Sequence, residues 1–275
     1  MKILGGTSRV SVLALRKALE EKVNNLSAKD AAQFSNDLFT ILTVLSTSVG
    51  MRRALTDNAR DAGAKAELIS NLFGKNVSAA AQSILASAAS LRWSNPSELA
   101  DAIEQLAVEA ESFVAEKNNE LDQVEDQLFD FARVLTANPE LRQALNTAAD
   151  SDSGKVTLLE SITKGKYANS TLNLLRRVVV LRRGRNLDAT LAAYSHYVSI
   201  RRNRVVAHVK IAVALNPAQQ QNLITALGKA IGKSVHINVE VDPKVLGGIS
   251  IRYGDEIIDG TVVNRLAEAS RALVG

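Results

Sequence analysis

The sequence has 275 residues, 46% of them hydrophobic and 23% charged, with a net charge of +4 and no cysteine. Such a length accommodates two or three compact domains, and the composition is that of a folded protein, neither disordered nor fibrous. Disulfides, thiolate catalysis and cysteine-based metal sites are excluded, and apolar runs such as Val178–Leu181 and Ile211–Leu215 fall far short of the roughly 20 residues that a bilayer-spanning helix needs.

Near the N-terminus, Arg16 and Lys17 interrupt the apolar residues, so no export signal is expected. Almost everything before residue 203 reads as helix. Leu38, Ile41, Leu42, Leu45 and Val49 recur at three- and four-residue spacing, which predicts one buried helical face. Leu99, Ile103, Leu106, Ala110 and Phe113 form a second such stripe, and Leu121, Val124, Leu128, Ala132 and Leu135 a third, with a break expected near Lys117–Asn119. Asn95-Pro96, Asn138-Pro139 and Asn216-Pro217 each place a capping side chain before a proline suited to the first helical turn. From Arg204 the pattern changes: Val205–Leu215 reads as a strand and Pro217–Ile231 as a helix with Leu223, Ala226, Leu227 and Ala230 inward. Val235–Val241, Ile249–Tyr253 and Glu256–Ile258 read as strands, and Thr261–Leu273 as a last helix. The expected fold is mainly α with a C-terminal α/β part: two tandem helical bundles followed by a small mixed strand-helix domain.

The bundles are expected to be copies of one another. Leu38-Phe39, Leu45, Arg52, Ala54-Leu55, Lys65 and Leu68 recur 90 residues later as Leu128-Phe129, Leu135, Arg142, Ala144-Leu145, Lys155 and Leu158. Gly74-Lys75, Arg92 and Asn95 then match Gly165-Lys166, Arg183 and Asn186 at an offset of 91, which implies one inserted residue. Charge divides unevenly along the chain. Glu98–Asp130 holds eleven acidic residues against Lys117, and Arg176–Lys210 holds nine basic ones against Asp188. The bland expectation is intramolecular pairing and solvated faces.

No catalytic constellation is visible. Gly228–Ser234 has three residues between its glycines where a phosphate-binding loop has four, and it closes a helix instead of opening one. His196, His208 and His236 lie in no metal-ligand spacing. The basic cluster Arg176, Arg177, Arg182, Arg183, Arg185, Arg201, Arg202 and Arg204 is poor in aromatic residues: only Tyr194 and Tyr197 fall inside it, at a spacing that suits core packing. Neither a nucleic-acid partner nor a cofactor is expected.

Ile237–Gly254 and the following Asp255–Leu266 resemble the signature of ATP synthase delta subunits, whose mitochondrial counterpart is the oligomycin-sensitivity-conferring protein. The residues that carry the likeness are Asp242, Pro243, Gly247, Gly248, Gly254, Asp259 and Gly260, to which structural and not catalytic roles fall. Asn138–Leu145, Lys155, Leu158-Leu159 and Gly165-Lys166 are similar to the family's usual N-terminal bundle, and Leu91–Ser94 to a motif of its actinobacterial, duplicated form. The resemblance implies an extra bundle over residues 1–97, the standard bundle over 98–203 and a C-terminal α/β, stalk-binding domain over 204–275. It further implies a stator subunit of the F-type proton-translocating ATP synthase, peripheral on the cytoplasmic face of the cell membrane and associated with the membrane only through the complex. The bundle would hold the N-termini of the alpha subunits and the C-terminal region the C-termini of the b subunits. The second bundle, Leu99–Arg202, is the expected seat of the alpha termini, and the alanine-rich Ala79–Ala89 surface suits helix docking.

Overall fold

A computed structural model describes residues 4–23, 26–147, 151–201, 205–232, 235–242, 247–253 and 256–260. The chain divides into two compact units, Met1–Val198 and Ser199–Gly275.

The first unit is helical. It contains α1 (Gly6–Val23), α2 (Ala28–Thr47), α3 (Val49–Thr56), α4 (Ala62–Phe73), α5 (Ala79–Ser90), α6 (Pro96–Lys117), α7 (Leu121–Ala137), α8 (Pro139–Asn146), α9 (Asp152–Thr163), α10 (Asn169–Val180) and most of α11 (Leu187–Arg201). Helices α3, α4 and α5 start and stop 90 residues before α8, α9 and α10. The duplication is therefore structural as well as sequential. A shared local device shows it too. The Asp37 carboxylate on α2 accepts from the backbone of Ser78 at 2.9 Å, at the start of α5. Gln127 on α7, 90 residues on, accepts from the backbone of Ala168 at 2.9 Å, at the start of α10.

The inserted residue enters later than the sequence comparison places it. Gly74 is right-handed at the end of α4, whereas Gly165 is left-handed at φ 69°, so the two glycines are not equivalent. The offset stays at 90 through α10, and the extra residue falls in the α10–α11 loop, where Arg183 (φ 54°) and Gly184 (φ 78°) are left-handed.

Helix α6 is the axis of this unit. It packs against α1, α2, α3 and α5 of the first copy and against α7 and α10 of the second. From Glu98 to Ala115 every residue except Asp101 is buried. Its Leu99, Ile103, Leu106, Ala110 and Phe113 form the apolar stripe expected from the sequence. It ends at Lys117, and Asn119 turns the chain with φ 58°.

Two sequence expectations about helix ends are corrected. Val49 is exposed, because α2 stops at Thr47 and Ser48 caps a new helix by accepting from Met51 N at 3.1 Å. Asn138 gives α8 no side-chain cap; its amide donates back to Val134 O, closing α7. Asn95 does cap α6, and Asn216 caps its helix through a reciprocal box with Gln219.

The second unit holds β1 (Val205–Ile211), α12 (Pro217–Ile231), β2 (Val235–Val241), β3 (Ile249–Tyr253) and β4 (Glu256–Asp259) in a sheet of order β2-β1-β3-β4. β1 and β2 are parallel, joined by α12, while β3 and β4 follow antiparallel. β1 stops at Ile211, short of Leu215, because its partner β2 ends at Val241 opposite Ile211. Alternation along the strands puts Ala207, Val209, Ile211, Val235, Ile237 and Ile251 into one core with Leu227 of α12. The remaining inward residues of α12 are Leu223, Ile224 and Ile231; Ala226 and Ala230, expected inward, are exposed, one position off the true stripe. The expected last helix, Thr261–Leu273, lies outside the described residues.

Candidate functional site

The residues singled out as possible chemistry take structural places. Gly232 is left-handed at φ 70° and terminates α12, so Gly228 and Gly232 close a helix instead of opening one. Among the described residues no group of three His, Asp or Glu side chains is placed to hold a metal ion. Tyr194 and Tyr197 are buried on α11, and burial pushes the Tyr197 hydroxyl up to about 12.

Two arginines of the cluster turn inward on the acidic stretch. Arg183 reaches α6 at Asp101 (2.8 Å) and Glu104 (3.1 Å), and Arg185 binds the other oxygen of Glu104, which has no solvent exposure. A buried carboxylate bridged by two guanidiniums has its lost hydration replaced by charge-assisted hydrogen bonds. Arg182 donates to the Asn146 carbonyl at 3.1 Å and to its side chain at 2.8 Å. Arg176 pairs with Glu160 in the open, where a pair contributes under about 1 kcal/mol. The sequence shows the opposed charge blocks but not this pairing, because 79 residues separate Arg183 from Glu104. Arg202 and Arg204 lie outside the described residues.

The Leu91–Ser94 motif closes the loop before α6 onto α1. Arg92 O accepts from Ser11 at 2.7 Å, Ser94 N donates to Ser8 at 2.9 Å, and the Trp93 indole donates to Ala88 O at 2.8 Å. Glu98, in the first turn of α6, accepts from Gly5 N and Ser8.

A polar seam joins α2, α6 and α10. Glu111 on α6 accepts from Asn173 of α10 at 3.1 Å and is hydrogen-bonded by Ser35 of α2 and Ser170 of α10. Burial raises its carboxyl above the ordinary range, against the lowering effect of those bonds and of Arg177. Ser35 also donates to Ala107 O at 3.3 Å. Arg177 of α10 donates to Asn36 of α2 at 3.3 Å, and its guanidinium lies 5.1 Å from the centre of the Phe39 ring.

In the second unit the signature residues shape one end of the sheet. Asp242 N donates to Ile211 O at 2.9 Å, continuing the β1–β2 register by one residue. Gly247 (φ 139°) and Gly248 (φ 87°) hold angles that side-chain-bearing residues rarely adopt, just before β3. Asp259 is in register with Ser250, and Gly260 N donates to Ile249 O at 2.9 Å; a Cβ on Gly260 would lie 3.3 Å from that oxygen. Pro243 and Gly254 lie outside the described residues. Ile257 and Ile258 of β4 are exposed, as is Val241 of β2.

Comparison with known proteins places this architecture. The family model described as ATP synthase delta (OSCP) subunit matches residues 109–273. The chain is 40% identical over 272 residues to the ATP synthase subunit delta of Streptomyces griseus, covering 99% of this chain and 100% of that one. It is 39% identical over 273 residues to the ATP synthase subunit delta of Streptomyces coelicolor, covering 99% of each. Among solved structures, a chain in the mitochondrial ATP synthase hexamer of Toxoplasma gondii is similar at a TM-score of 0.40 and 22% identity, covering 62% of this chain and 97% of that one.

Proposed function

The chain belongs to the ATP synthase delta (OSCP) subunit family, and from that premise we propose that it is the non-catalytic stator protein of a proton-translocating ATP synthase, holding the catalytic head still while the rotor turns. The observation that carries this reading is likeness over the full length: 99% of the chain, extra N-terminal copy included, aligns with a delta subunit. The packing suits the task. A stator element must carry load without yielding, and an axial helix buried on all sides by two bundle copies is a stiff arrangement.

In this reading residues 1–97 are the duplicated bundle, 98–203 the family's usual bundle and 204–275 the stalk-binding domain. The helical part receives the amphipathic N-terminal helices of the alpha subunits, and the C-terminal sheet grips the C-terminal ends of the b subunits. The signature residues Asp242, Pro243, Gly247, Gly248, Gly254, Asp259 and Gly260 shape that grip and do not themselves react. No helix among the described residues is long and apolar enough to cross a membrane. The protein is held peripherally, at the cytoplasmic face, through its partners. Affinity-tagged chain mixed with the alpha–beta head and with a soluble b fragment is expected to retain both on one column. Retention of neither would overturn the assignment.

A further inference from the structure

The two copies differ where α8 meets the start of α9. An open pocket of about 290 Å³ is lined there by Ala144 of α8 and by Ser151, Gly154, Lys155 and Leu158. The matching positions 90 residues earlier hold Ala54, Asp61, Ala64, Lys65 and Leu68. Three of these five are unchanged in type. The other two, Asp61 to Ser151 and Ala64 to Gly154, both become smaller in the second copy, and one loses a charge.

In the first copy this corner satisfies itself. The Asp61 carboxylate caps α4, accepting from Gly63 N at 2.7 Å and Ala64 N at 3.3 Å. The buried Lys65 donates to Ala89 O at 2.8 Å. In the second copy a neutral hydroxyl is the cap: Ser151 accepts from Gly154 N at 3.1 Å and shares a hydrogen bond with the Ser153 hydroxyl at 3.0 Å. Whichever hydroxyl donates there, the proton of the other is left for a further acceptor. Lys155 is 5% exposed and lines the pocket, yet it makes no hydrogen bond or ion pair with any described residue. Asp152, the adjacent acid, is exposed and is not among the lining residues.

A buried ammonium without a partner is costly, and the first N–H groups of a helix have no acceptor within it. One anion seated in the pocket answers both, since the start of α9 carries partial positive charge and Lys155 a full one. We propose that this pocket is an oxyanion site taking phosphate, either free or as the end group of a phosphomonoester. Lys155 is its cation, and the Ser151 hydroxyl and the first-turn N–H groups of α9 are its further donors. The bound ion brings from outside the negative charge that Asp61 holds at the same place in the first copy. Phosphate fits better than a carboxylate because three acceptor oxygens can meet three kinds of donor. The site stands on this pocket alone and does not depend on the stator reading.

The test is titration of the full chain with inorganic phosphate, followed by calorimetry and by the backbone amide NMR signals of residues 152–155. The expected result is one phosphate per chain, with the largest amide shifts over 152–155. Binding is expected to weaken roughly tenfold or more in Lys155→Met, which keeps the apolar stem and removes the charge. The same loss is expected in Ser151→Asp, which installs the first copy's carboxylate and keeps a good helix cap. Asp61→Ser, the reverse change in the first copy, is expected to leave the affinity as it is. Absence of saturable binding, amide shifts centred outside α9, or unweakened binding in either second-copy variant, folded by circular dichroism, would overturn the proposal. A sugar phosphate that binds more tightly than inorganic phosphate would assign the monoester as the ligand, and equal or weaker binding the free ion.

Discussion

Asp37 and Gln127 do one job with different chemistry, each anchoring the start of a later helix in its own copy. Replacing Asp37 by Ala leaves the Ser78 amide and the Gln33 side chain without their acceptor, a loss of about 1–3 kcal/mol. Asp37→Gln imports the solution used by the second copy and is expected to recover most of it; urea denaturation of the three proteins compares them, and a Gln variant no better than the Ala one would contradict the equivalence. Glu111 makes a pH-dependent prediction. Its carboxyl is raised by burial, so the protonated form is the one the fold favours. Its contribution is fully present below the unfolded carboxyl range and is lost as pH rises through the folded value. Glu111→Gln, which keeps the shape and stays neutral, is therefore expected to raise the melting temperature at pH 7 and to lose that advantage below about pH 4; an equal effect at both pH values would contradict the burial argument. Residue-level reading from sequence succeeded where periodicity decides, as at Leu38 and Leu106, both without solvent exposure. It failed where one neighbour decides, as at Asn138, whose amide goes to the preceding helix.

At the scale of elements, α6 is the unexpected member. Its apolar stripe was visible as spacing, but a helix buried on every side carries glutamates that read as a solvated face. Glu98 and Glu109 go to α1, the latter to Arg16 at 2.8 Å, while Glu104 and Glu111 go to the second copy. Helix and strand boundaries such as Pro217–Ile231 and Val235–Val241 were legible because a cap or a turn residue marks each end. The sharing of α6 was not, since self-comparison aligns copies without showing that they use one helix in common. The consequence is cooperative. Helices α1–α10 are expected to unfold together, with amides of α2 and α10 losing protection at the same urea concentration. Separate midpoints, with α10 protected after α2 has opened, would show that the copies are independent. Removal of residues 1–95 is expected to strip cover from Leu99, Ile103, Leu106 and Ala110 and to give a dye-binding, aggregation-prone chain.

Across the whole molecule, part of the charge asymmetry resolves into internal pairing. Within the basic run, Arg176, Arg182, Arg183 and Arg185 are held by Glu160, Asn146, Asp101 and Glu104. What remains is a stiff helical unit and a small α/β unit, with the family likeness running through both. Identity of the family was legible because its C-terminal signature is dense in glycines at positions that disfavour a side chain: Gly247 and Gly248 hold positive φ, and Gly260 sits against Ile249. The seats of the partners were not, because docking faces on helical bundles are made of ordinary amphipathic residues. The central claim is mechanical coupling, and the most direct measurement is ATP-driven proton pumping by membranes whose ATP synthase has been depleted of its delta subunit, with and without the added chain. Restored pumping, with head and membrane sectors migrating together, is the predicted result. Continued ATP hydrolysis without pumping, and a chain that runs free of both sectors, would contradict it.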